Sequence, residues 1–166
     1  HHVKEHYVYL ALSSGIKVGV TRCTQVPTRW IDQGANAAIL FAKTPYRKLA
    51  GLIEVALKKY VTDKTNWQVM LKNDVNGDTD LAKEKHRLAD LLPPELQRYV
   101  LTADDITHIH YPVTAYPEKV TSLSFDKTPV IEGILTGIKG QYLIFEEGQV
   151  FNVRNATGYK ITLSSK

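Results

Sequence analysis

A single cysteine, Cys23, stands among the 166 residues. One thiol excludes an internal disulfide and a cysteine zinc cluster within this sequence, and it fits a reducing compartment. Cys23 follows Arg22 in a loop before Pro27, with no histidine and base arrangement around it, so it reads as incidental rather than as a nucleophile. No run of about 18 apolar residues is present and no stretch reads as a secretion signal, so a soluble, cytoplasmic protein with no membrane partner is expected. The chain opens on His1-His2, which reads as a tag remnant with native sequence expected upstream. Strong charge of one sign is missing too: 21 Lys and Arg against 17 Asp and Glu leave a net +4, a mildly basic balance shared by many proteins with no nucleic-acid partner. At 43% hydrophobic the chain can bury a real core, and its length suits one large or two small domains.

The richest stretch is Tyr7 to Arg22. Apolar and β-branched residues on both sides of Ser13-Ser14-Gly15 predict two short strands, 7–12 and 16–21, joined by a tight connection in which Gly15 is available for positive φ. That hairpin would bring Tyr9 and Lys17 together. Gly19 interrupts the second strand, and glycine inside a strand marks a bulge or a place where another group comes close. Beyond it the pattern predicts a helix over 27–33, with Pro27 suited to its first turn, a buried strand over 37–42, and helices over 45–62 and 66–72. The 45–62 helix carries Leu49, Leu52, Ile53, Ala56, Leu57 and Tyr60 on a broad apolar stripe with Glu54 at its edge. From Lys43 to Lys64 the chain is locally positive, with Arg47, Lys48, Lys58 and Lys59 against Glu54 and Asp63, as a surface for a phosphate backbone should be.

In order and spacing, Tyr7-Val-Tyr9, then Lys17-Val-Gly19, Arg29, Glu54 and Asn66 resemble the GIY-YIG nuclease superfamily over roughly residues 6 to 70. More narrowly, Lys17 to Arg22, Pro27 to Gly34, Asp63 to Trp67 and Gly137 to Leu143 are similar to a bacterial family of uncharacterised proteins known as a domain of unknown function. The superfamily resemblance implies that Tyr9 and a second-motif tyrosine help activate the attacking water, that Arg29 faces the scissile phosphate and that Glu54 holds a divalent cation, Mg²⁺ or Mn²⁺. The implied activity is that of a hydrolase, a metal-dependent endonuclease or phosphodiesterase acting on DNA or RNA. Lys17, however, stands where a hydrolytic member would carry tyrosine. Lysine binds phosphate as a point charge but has no phenolic oxygen, so a binding module without turnover stays open beside the enzyme, as does a protein-interaction domain.

Each candidate has a plainer reading. Tyr9 can be an ordinary strand aromatic, Lys17 and Arg29 solvated charges, and Glu54 half of an i,i+4 pair with Lys58. Arg22, Arg47, Lys48, Lys58 and Asn66 are the expected nucleic-acid contacts, and a solvated helix face competes with that assignment.

The expected architecture is α/β (α+β). A small three-stranded antiparallel sheet flanked by helices, as the GIY-YIG resemblance implies, occupies 1–75. A helical linker follows over 76–105, with helices around 80–91 and 94–100, and then a small antiparallel β-barrel-like domain over 106–166. Asp74, Asn76 and Asp78 alternate as in a calcium loop, but Thr79 stands where glycine is needed and Lys85 where the closing glutamate belongs. From Ile106 onward five or six short apolar runs, among them 120–125, 130–138, 141–145, 150–153 and 159–163, turn at Lys139-Gly140 and Glu147-Gly148. Tyr142, Phe145, Phe151, Arg154, Tyr159 and Lys139 are candidates there for single-strand binding, with a core role for the aromatics as the competing reading. His108 and His110 share a strand face, a pair that without a third ligand is more often structural than metal-binding.

Overall fold

The computed structural model describes residues 4–75 and 77–165. His1, His2 and Asn76, the middle position of the calcium-like spacing, lie outside the described residues. The chain divides into two units, His1–His110 and Tyr111–Lys166.

In the first unit, β1 (His6–Leu12) and β2 (Ile16–Arg22) form the expected hairpin around Ser13-Ser14-Gly15. β1 also pairs with β3 (Ala37–Thr44), and β3 pairs with β4 (Ile106–His108), which makes an antiparallel sheet in the order β2-β1-β3-β4. The sheet therefore has four strands, not the three the sequence suggested. The fourth arises because the returning chain runs along β3: Lys43 N–H donates to Tyr99 O at 3.0 Å, Leu101 N–H to Phe41 O at 2.9 Å, and Ile106 then pairs with Ile39. Buried Lys85, 1% exposed, anchors this return through an ion pair of 3.0 Å with Asp104, whose other oxygen meets His86 at 2.7 Å.

The helices are α1 (Thr28–Asp32), α2 (Arg47–Leu57), α3 (Trp67–Lys72), α4 (Leu81–Asp90) and α5 (Pro94–Gln97). Alternation along the strands gives the sheet two buried faces. Val8, Leu10, Val18 and Ile39 join Ala50, Ile53 and Leu57 of α2 and Leu81 and Leu88 of α4 in one core cluster. Tyr9, Ala11 and Ala38 join Trp30 of α1 in a second. Helix α2 is shorter than the 45–62 expected. After Leu57 the chain is drawn to the hairpin, where Thr62 bridges Lys17 and its carbonyl accepts from Val18 N–H at 2.9 Å, so apolar periodicity through Tyr60 overstates the helix. No described helix is long and apolar enough to cross a membrane.

The second unit contains a mixed sheet in the order β5-β8-β7-β6, built from β5 (Thr121–Leu123), β6 (Leu135–Lys139), β7 (Tyr142–Phe145) and β8 (Gln149–Asn152). Gly140 at φ 59°, Glu147 at φ 62° and Gly148 at φ 75° make the two expected turns. The described residues form no closed barrel, and β5 runs parallel to β8. Closure fails because the outer edge of β6 is already taken: Thr114 N–H donates to Thr136 O at 2.9 Å and Ile138 N–H to Pro112 O at 3.1 Å. The alternating run from Tyr159 to Leu163 joins no strand and leaves Tyr159, Ile161 and Leu163 exposed. Two of the candidates for single-strand binding are core residues. Phe151 packs edge-on against Phe125 at 4.9 Å, and the Lys139 ammonium lies buried over the rings of Tyr111 and Tyr116 at 5.4 and 5.1 Å.

Candidate functional site

The hairpin register sets Tyr9 opposite Gly19 and Ala11 opposite Lys17. Because side chains alternate in a strand, all four lie on one face, and Tyr9 and Lys17 are diagonal neighbours there. Neither is a surface group: Tyr9 is 1% exposed and Lys17 7%. The Tyr9 ring occupies the space a side chain at 19 would fill, and its edge meets Trp30 of α1 with ring centroids 6.0 Å apart and planes at 64°. The phenolic oxygen is hydrogen-bonded to the side-chain amide of Gln33, with Nε2 at 2.9 Å. Trp30 is buried as well, and its Nε1 has no hydrogen-bond partner among the described residues.

Lys17 is held from the other side. Its Nζ donates to Thr65 Oγ1 at 3.1 Å, and the Thr65 hydroxyl also meets Ser13 Oγ at 3.2 Å. The 62–66 segment that supplies Thr65 is itself docked on the hairpin, since Asn66 N–H donates to Ser14 Oγ at 2.8 Å.

Electrostatics tie two further residues to this pair. Burial pushes the Tyr9 phenol above its ordinary range, while the Gln33 hydrogen bond and the positive charge of Arg29 oppose the rise and Glu54 adds to it. Burial holds the Lys17 ammonium below its ordinary value, and Arg29 acts in the same direction against Asp63 and Glu54. Arg29, exposed on α1, and Glu54, half-buried on α2, are thus both near enough to influence Tyr9 and Lys17. Charge links all four residues, although α2, which carries Glu54, packs on the face of the sheet opposite to that of Tyr9 and Lys17. A buried phenol and a buried amine with an exposed guanidinium among their charged neighbours are groups that can attract an anion.

The remaining predicted residues are placed differently. Arg22 is exposed at the end of β2, paired with His6, and Arg47 and Lys48 are exposed at the start of α2. Lys58 forms a 2.9 Å ion pair with Asp63 instead of with Glu54. Asn66 is the N-cap of α3, its Oδ1 accepting from Gln68 and Val69 N–H at 3.1 and 3.3 Å. Sequence reasoning assigned no role to Gln33, Trp30 or Thr65. The first two lie in the Pro27 to Gly34 motif and the third in Asp63 to Trp67, so the motifs marked the segments without revealing the partners.

Among the described residues no group of three His, Cys, Asp or Glu side chains is placed to hold a metal ion. No curated protein and no solved structure matches the chain. The sequence model of a family described as "Protein of unknown function (DUF2797)" matches residues 1–161, and the chain belongs to that family.

Proposed function

We propose that the chain is a nucleic-acid-binding protein whose first unit holds a phosphodiester at Tyr9, Lys17, Arg29 and Glu54, in the manner of a GIY-YIG site. The observation that carries this reading is the buried Lys17 ammonium, whose neighbours include a second cation, Arg29, and a neutral phenol, Tyr9. Gathering two cations against the cost of desolvation is favourable once a phosphate joins them, because the anion offsets both charges. Arg29 is the exposed group of the set and makes the first contact with a phosphate oxygen; Lys17 supports it from within.

A divalent cation fits here only in a limited way. Glu54 forms no ion pair among the described residues, and its single carboxylate suits Mg²⁺ or Mn²⁺ whose shell is otherwise water and substrate phosphate. A cation so held would offset charge developing on the phosphate during hydrolysis.

Glu54, which pairs with no cation among the described residues, favours a second reading, in which the site cleaves as well as binds. The test is to titrate structured DNA and RNA at about 50 and about 200 mM salt, and then to incubate them with Mg²⁺ or Mn²⁺. Salt-sensitive binding weakened by Arg29→Gln supports the site. Turnover abolished by Glu54→Ala makes it an endonuclease, and binding without turnover makes it a module. Absence of salt-sensitive binding removes the proposal and leaves protein interaction.

A further inference from the structure

Beside the candidate site, between the hairpin tip and the 62–68 segment, lies an open hollow of about 600 Å³. Its lining combines a half-buried indole, Trp67, with the side chains of Lys64 and Gln68, which form no hydrogen bond among the described residues. Gly15 leaves one side low, since nothing lies within 4 Å of where its Cβ would stand. The opposite wall includes Thr65, whose hydroxyl also accepts the Lys17 ammonium at 3.1 Å. The hollow and the Lys17 cluster therefore share a residue, Thr65.

We propose that this hollow receives an unpaired nucleobase stacked on Trp67, with the adjoining phosphate held by Lys64, and that the substrate class of the site is single-stranded nucleic acid or a single-stranded segment within a duplex. The inference rests on the reading of the Lys17 cluster as a phosphodiester site. An indole face stacks on any base, whereas a duplex buries base faces and offers edges only, so this lining discriminates by strandedness and not by sequence. Gln68 carries both a donor and an acceptor, which suits the varied edges of the four bases. Lys64 supplies the cation that a tracked backbone requires.

The experiment measures anisotropy of dye-labelled oligonucleotides, as single-stranded DNA, single-stranded RNA and the matching duplex, with the full chain. The expected result is tighter binding of the single strands, weakened about tenfold by Trp67→Ala and by Lys64→Glu and largely retained by Trp67→Phe, with little change for the duplex. Lys64 is exposed, so its variant reports on the site even where Trp67→Ala disturbs the packing of α3. Single-strand binding indifferent to both substitutions, or a preference for duplex, overturns the inference while salt-sensitive binding that Arg29→Gln weakens leaves the parent reading standing. Absence of salt-sensitive binding to any of the three probes removes both.

Discussion

The Tyr9 ring fills the place of a side chain at Gly19: a Cβ there would stand 2.5 Å from the phenolic oxygen and 2.6 Å from Cζ. The glycine in Lys17-Val-Gly19 is thus explained by its cross-strand partner. Tyr9 is 1% exposed and fixed by Trp30 and Gln33, so it has no room to yield. Gly19→Ala should destabilise the chain by about 1–3 kcal/mol, in the range for overpacking. In urea denaturation the loss should shrink when Tyr9→Leu is added, because the two side chains compete for one volume. A Gly19→Ala protein as stable as the wild type contradicts the packing described here.

Tyr9→Phe keeps the ring and removes the bond to Gln33, at a cost of about 1 kcal/mol near neutral pH. Its second effect is on pH dependence. Burial raises the Tyr9 phenol above 10.0 in the folded chain, so unfolding favours ionisation. The associated stability is complete below pH 10.0 and is lost as pH rises from there through the folded value. Denaturation midpoints of wild type and Tyr9→Phe should therefore converge on moving from about pH 8 to about pH 11. Parallel curves for the two proteins exclude a raised Tyr9.

Asn66 separates a structural from a binding role. As N-cap of α3 it accepts two backbone N–H bonds, and Asn66→Ala should cost about 1 kcal/mol. Aspartate caps equally well, so Asn66→Asp should recover the thermal midpoint while its negative charge weakens polyanion binding beside Lys64 and Lys17. Recovery of both properties by aspartate would mean that this position is purely structural.

Much of the first unit is legible because its signals are local. The Ser13-Ser14-Gly15 connection, the alternation on either side of it and the Asn66 cap each lie within a few residues of the structure they specify. The partners that make the site are not local. Gln33 bonds Tyr9 across 24 positions and Thr65 bonds Lys17 across 48, and neither residue type announces its partner. Lys17 reads as a solvated charge because nothing in its own strand covers it; the cover is the 62–65 segment, joined to β2 by a single bridge that leaves no periodicity. The second unit misleads for a related reason. Short alternating runs predict strands but not which edges stay open, and the segment before β5, not another barrel strand, occupies the edge of β6.

Lys139 gives the sharpest test of that unit. It sits in β6 and is wholly buried, with its ammonium over the faces of Tyr111 and Tyr116. Such faces attract a cation but replace only part of its lost hydration, and burial lowers the group from 10.5 to about 8. The folded chain therefore binds fewer protons than the unfolded one between those values. Below about pH 8 both states are protonated and the full cost of burial is present; as pH rises from about 8 to 10.5 the folded form is progressively relieved, so stability increases. The gain should be on the order of 1–3 kcal/mol. Lys139→Met, of similar length and without the charge, should be as stable as wild type or more so at about pH 7 and should lack the rise. Urea midpoints of both proteins from about pH 7 to about pH 9.5 decide the matter, and a wild-type midpoint that falls over that interval contradicts the buried ammonium.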